Sequence, residues 1–91
     1  MNIKGLYFDC TCGACPEQYD VYDSEGKQVG YVRLRWGILY CKYPDVDGER
    51  IYTAGIGDGW TGIFESDEQR MDHLNNIADK ILEKIACKSR V

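Results

Sequence analysis

The sequence predicts an α+β fold: an antiparallel β-meander of four to five strands packed against one long C-terminal α-helix. Two patterns carry this reading. Residues 28–43 alternate between apolar and polar on either side of Trp36-Gly37, as two paired strands joined by a tight turn do. From Met71 to Ala86, apolar residues recur at helical spacing behind a capping signal. A helix with a single apolar stripe needs a sheet to bury it. The 91 residues suffice for one domain, with the sheet over about 3–64 and the helix over about 66–88.

Along the chain, "IKGLYF" (3–8) reads as a strand and "CTCGACPE" as the loop after it. "YDVYD" (19–23) alternates and enters "SEGK", where Gly26 suits the left-handed position of a bulged hairpin. "QVGYVRLR" (28–35) is a strand, Trp36-Gly37 a two-residue turn and "ILYCKY" (38–43) its partner. "PDVDGE" is a polar turn and "RIYT" (50–53) a further strand. "AGIGDGWTG" then places four glycines in nine residues before the helix. Ser66 is the expected N-cap and Gln69 completes a capping box, with Asp67 and Glu68 where the helix dipole favours acids. Met71, Leu74, Ile77, Ala78, Ile81, Leu82, Ile85 and Ala86 form the buried stripe.

A two-residue turn at Trp36-Gly37 fixes the faces of the hairpin. Val32, Leu34, Leu39 and Cys41 fall on the side that takes the helix. Tyr31, Arg33, Arg35, Tyr40 and Lys42 fall on the other, and alternation in the next strand adds Arg50 and Tyr52 to that second face. Residues 28–43 hold three cations and no acid. Arginines beside tyrosines can grip a phosphate bidentately and stack a base or ribose. The plainer reading is a solvated sheet face whose arginines pair with Asp20 or Asp23.

Cys10, Cys12 and Cys15 fall within six positions, a three-donor arrangement suited to zinc. The fourth donor is the difficulty. Cys41 and Cys87 stand alone, Cys41 reads as a core residue, and His73 reads as a solvated helix position. Reduced thiols at a tight turn are the simpler account, with zinc as the alternative, and no cofactor is expected. "GDGWTG" (57–62) matches G-x-G-x-x-G but lacks the βαβ unit, and acids open the following helix. It reads as a loop whose Trp60 caps the core or reaches a ligand or partner. Asp45 and Asp47 suit turn chemistry, and no nucleophile stands with a base. Enzyme activity is not expected.

The net charge of −4 and pI of about 4.8 argue against general nucleic-acid binding. No apolar run reaches the roughly 20 residues of a membrane span, and the first residues lack a signal peptide's features, so a cytoplasmic location is expected.

The run "CGACPEQYDVYD", then "GKQVGYVRLRWG", "YPD" and "GIFESDEQR" opening a helix, resembles small uncharacterised proteins encoded by phages and prophages of gut and soil bacteria. The resemblance covers most of the chain and carries over no functional residue. It implies a setting: an accessory protein in a host cell's cytoplasm that binds and disables a host component, including defence proteins and their nucleotide second messengers. The first functional expectation is a non-catalytic protein sequestering an anionic small ligand, such as a nucleotide immune signal, through Tyr31, Arg33, Arg35, Tyr40, Lys42, Arg50, Tyr52 and Trp60. The alternative is a protein–protein inhibitor or structural accessory protein anchored by Trp36 and Trp60, with zinc at Cys10, Cys12 and Cys15 as a possible support. A homodimer is expected in either case, covering a sheet edge or pairing tryptophans.

Overall fold

The structure, a computed structural model, describes residues 1–12, 17–56 and 66–89. It is α+β, with one six-stranded antiparallel sheet and one C-terminal helix. The strands are β1 (Asn2–Ile3), β2 (Leu6–Cys12), β3 (Glu17–Tyr22), β4 (Gln28–Arg35), β5 (Ile38–Tyr43) and β6 (Glu49–Gly55), and the helix is α1 (Asp67–Ser89). Strand order in space follows strand order in sequence.

The first segment differs from expectation. "IKGLYF" is two strands, because Lys4 and Gly5 both take positive φ (53° and 86°) and turn the chain back on itself. Glycine adopts that conformation without strain and lets the turn match the twist of its strands. The next segment runs longer than predicted: β2 continues through Cys12, pairing with β3 across an irregularity between Cys10 and Cys12. The turn after β3 is as read. Asp23 Oδ1 accepts the backbone N–H groups of Glu25 and Lys27, each at 2.9 Å, and Gly26 has φ 83°.

The hairpin register also matches. Arg35 lies opposite Ile38, Leu34 opposite Leu39, Arg33 opposite Tyr40, Val32 opposite Cys41 and Tyr31 opposite Lys42. Val32, Leu34, Leu39 and Cys41 are buried, on the face that α1 covers. From the helix come Leu74, Ile77, Ala78 and Ile81, all fully buried, while Met71 and Ala86 are exposed at the two ends of the stripe. Ser66 Oγ accepts the Gln69 backbone N–H at 3.0 Å, the N-cap bond that the sequence predicts.

Gly30 leaves the room that the Ile81 side chain of the helix fills. A Cβ there would lie 2.7 Å from Ile81 Cδ1 and 3.3 Å from Val21 Cβ. Ile81 Cδ1 is the end of a flexible side chain and can yield at some cost. Gly30→Ala is expected to destabilise the domain by about 1–3 kcal/mol through overpacking. Chemical denaturation checks this, and Gly30→Ala combined with Ile81→Val should recover part of the loss.

A buried polar clasp ties the start of α1 to the sheet. Arg70 Nε donates to Glu17 Oε2 at 2.8 Å and its Nη2 to Glu17 Oε1 at 3.0 Å, a bidentate pair. The Tyr19 hydroxyl donates to Glu17 Oε2 at 2.6 Å, and Arg70 Nη1 also meets Asp67. Burial, then the bond to Glu17, holds the Tyr19 phenol well above its usual range. The hydrogen bonds that Arg70 donates to Glu17 likewise raise its guanidinium beyond the ordinary value. Among the described residues, no helix is long and apolar enough to cross a membrane.

Candidate functional site

The face of the sheet away from α1 carries most of the basic and aromatic residues that the sequence singles out. Its centre is the β4–β5 hairpin, whose turn needs positive φ at two successive positions. Trp36 has φ 55° and Gly37 φ 72°. Asn or Gly normally fills the first of these, and a large residue there is strained, a feature that clusters at functional positions. Trp36 is nonetheless 57% exposed at the tip.

Arg33, Arg35, Trp36, Ile38, Tyr40 and Arg50 line one open concavity of about 380 Å³. Three adjacent strands build it. Arg33 and Arg35 project from one face of β4 because they are two residues apart, and Tyr40 on β5 lies directly opposite Arg33. Arg50 arrives from β6, with its guanidinium carbon 4.6 Å from the Tyr40 ring centroid. The Arg35 guanidinium carbon lies 5.6 Å from the Trp36 ring centroid. These stacks hold two cationic heads in place with their N–H edges free to donate.

No carboxylate neutralises these arginines among the described residues. The two acids that might have done so are engaged elsewhere. Asp20 Oδ1 accepts from Gln28 Nε2 at 3.3 Å, and Asp23 holds its own turn. Arg33 Nε is buried and has no hydrogen-bond partner among the described residues. A buried, unmatched N–H costs roughly 1–3 kcal/mol, so the site holds a donor ready for an acceptor. Other concavities mix their charges: Glu49 and Glu83 line one of about 370 Å³ beside α1, and Asp23 and Glu25 line one of about 520 Å³.

Of the predicted site residues, Arg33, Arg35, Tyr40 and Arg50 come together. Tyr31 and Lys42 lie on the same face but at its margin. Tyr31 is buried against Tyr40, ring centroids 6.4 Å apart, and Lys42 Nζ donates to the Val46 carbonyl at 3.4 Å. Tyr52 belongs to the opposite face. Arg50 pairs with Lys42 but Tyr52 pairs with Cys41, so Ile51 is an extra residue that breaks the alternation. Tyr52 therefore points to α1, where its hydroxyl lies 2.8 Å from His73 Nδ1. His73 is correspondingly half-buried and bonded, not solvated. Trp60 lies outside the described residues. Trp36 and Ile38, not included in the anionic site from the sequence, complete it; their position at the turn was the available signal.

The cysteine cluster is only partly described. Cys10 is exposed on β2 and Cys15 lies outside the described residues. Cys41 is fully buried in the core, where desolvation pushes its thiol up to about 12. Among the described residues, no group of three or more His, Cys, Asp and Glu side chains is placed to hold a metal ion. Compared with known proteins, the chain matches no family model, no curated protein and no solved structure.

Proposed function

We propose that this is a non-catalytic binding protein that captures an anionic small ligand, of the nucleotide class, on the face built by Arg33, Arg35, Tyr40 and Arg50. One observation carries the reading: three guanidinium groups line a single concavity with no acid among its described lining residues, and one of them buries an N–H with no hydrogen-bond partner among the described residues. The concavity's described side chains are cationic, aromatic or aliphatic and offer no nucleophile paired with a base, which supports binding without turnover. The resemblance to phage accessory proteins supplies the setting, sequestration of a host immune signal. A homodimer belongs to the same proposal. Among the described residues β6 pairs on one side only, and light scattering at micromolar concentration checks the assembly.

Thermal-shift measurements with nucleotides test the reading. A ligand at about 100 times its Kd should add about 2.7 kcal/mol of stability. Arg33→Ala should not destabilise the unliganded fold by more than about 0.5 kcal/mol, since it removes a buried N–H with no hydrogen-bond partner among the described residues. It should cost roughly 1.5–3 kcal/mol of binding through lost charge-assisted hydrogen bonds. Trp36→Asn separates strain from function: it should stabilise the unliganded fold by about 1 kcal/mol, because Asn tolerates this turn, while weakening the ligand.

A second reading has its own observation. Trp36 and Ile38 are 57% and 42% exposed side by side, as an anchor for a partner protein would be. Binding of a host protein that Trp36→Asn abolishes, with no nucleotide response, would favour it.

A further inference from the structure

We infer that the ligand of this concavity is a compact polyanion with at least two linked phosphoryl groups, recognised by charge and not by its nucleobase; this rests on the anion-binding reading above. The aromatic rings are already in use. Arg50 stacks 4.6 Å from the Tyr40 centroid and Lys42 Nζ lies 5.8 Å from it, while Arg35 stacks at 5.6 Å on Trp36. A cation already lies over each ring, and a base stacked on what remains makes a contact that every nucleobase can make. The rings serve the arginines, aiming them, and leave little that distinguishes one base from another.

The number and spread of the cations favour more than one anionic group. Arg33 and Arg35 are two residues apart on β4, so their Cα atoms are about 7 Å apart. Arg50 stands on β6, a lateral step of about 10 Å from β4 across β5, and it faces Lys42, which faces Tyr31, so it is offset along the strands from Arg33 and further still from Arg35. Two of the three heads are pinned on different rings, one at the turn and one in mid-strand. A single phosphate carries at most two negative charges against the three guanidiniums that line the concavity. A second phosphoryl group joined to the first extends the row of oxygens toward the remaining guanidiniums and better balances three positive charges. The concavity is open, which suits a short polyphosphate chain and does not enclose a base.

Isothermal titration calorimetry in metal-free buffer at one salt concentration tests this with phosphate, pyrophosphate, tripolyphosphate, AMP, ATP and GTP. Pyrophosphate and tripolyphosphate should bind at least tenfold more tightly than phosphate. ATP and GTP should agree within about threefold, and AMP should be as weak as phosphate. Arg50→Ala should weaken tripolyphosphate more than it weakens phosphate. AMP binding as tightly as ATP would overturn the inference, as would tenfold discrimination between ATP and GTP, or ATP binding where tripolyphosphate does not. Each of those results leaves the anion-binding reading standing. Failure of all six to bind overturns both.

Discussion

Replacing Arg70 by methionine is expected to destabilise the domain by about 3 kcal/mol, because it leaves the Glu17 carboxylate buried with its charge unmatched. The Glu17 side chain is only 9% exposed, and two of its three hydrogen bonds come from Arg70. The figure sits at the low end for a broken buried pair because 28% of the Arg70 side chain remains in solvent. Removing the whole clasp should cost far less. Glu17→Met with Tyr19→Phe and Arg70→Met leaves no buried charge and no orphaned hydroxyl, and should recover most of the loss. Urea denaturation of the single and triple variants reads the difference directly. A triple variant as unstable as Arg70→Met would show that the clasp contributes through geometry, not through charge.

Alkali is expected to unfold this protein steeply. Burial raises the Cys41 thiol from its ordinary 9.0 to about 12. Below pH 9 the thiol keeps its proton in both states, and its stabilising contribution is fully present. As pH rises from 9 toward 12, the unfolded chain releases that proton while the folded chain retains it. Stability then falls with pH, by about 1.4 kcal/mol per pH unit from this group alone. Tyr19, whose phenol is also raised, adds to the loss once pH passes the range of an ordinary phenol. Denaturation midpoints between pH 8 and 11 should drop along this slope. Cys41→Val, close in volume and without a proton to lose, should flatten the part that begins near pH 9. An unchanged slope in that variant would place the alkaline sensitivity elsewhere.

The same thiol shows which parts of this fold are legible in sequence. Its register opposite Val32 alone places Cys41 in the core, and it is fully buried. That inference works because a strand's side chains alternate with a period of two and a tight turn sets which residues face each other. Both facts lie within 16 residues of chain. The helix is legible for the same reason, since its cap, its acids and its stripe are all local. The cationic half of the site follows from the hairpin register, so Arg33, Arg35 and Tyr40 were found where they stand.

What alternation cannot reveal is where it is broken. One extra residue at Ile51 turned Tyr52 from the arginine face to the helix, and nothing in "ERIYTAG" marks the bulge. The split of the first strand at Lys4-Gly5 had a local signal, a Lys-Gly pair between the apolar Ile3 and Leu6, but the pattern on either side also suits one strand. The clasp had none. Glu17 and Arg70 are 53 positions apart, and each alone reads as a solvated charge. The absence of acidic partners for the arginines among the described residues belongs with it, because Asp20 and Asp23 are close enough in sequence to pair. Short-range periodicity decides which way a side chain points, so register, helix and core were in the sequence. Which distant groups meet, at Gly30 and Ile81 or at Glu17 and Arg70, depends on how closely the helix settles on a twisted sheet, and only the folded chain sets that distance.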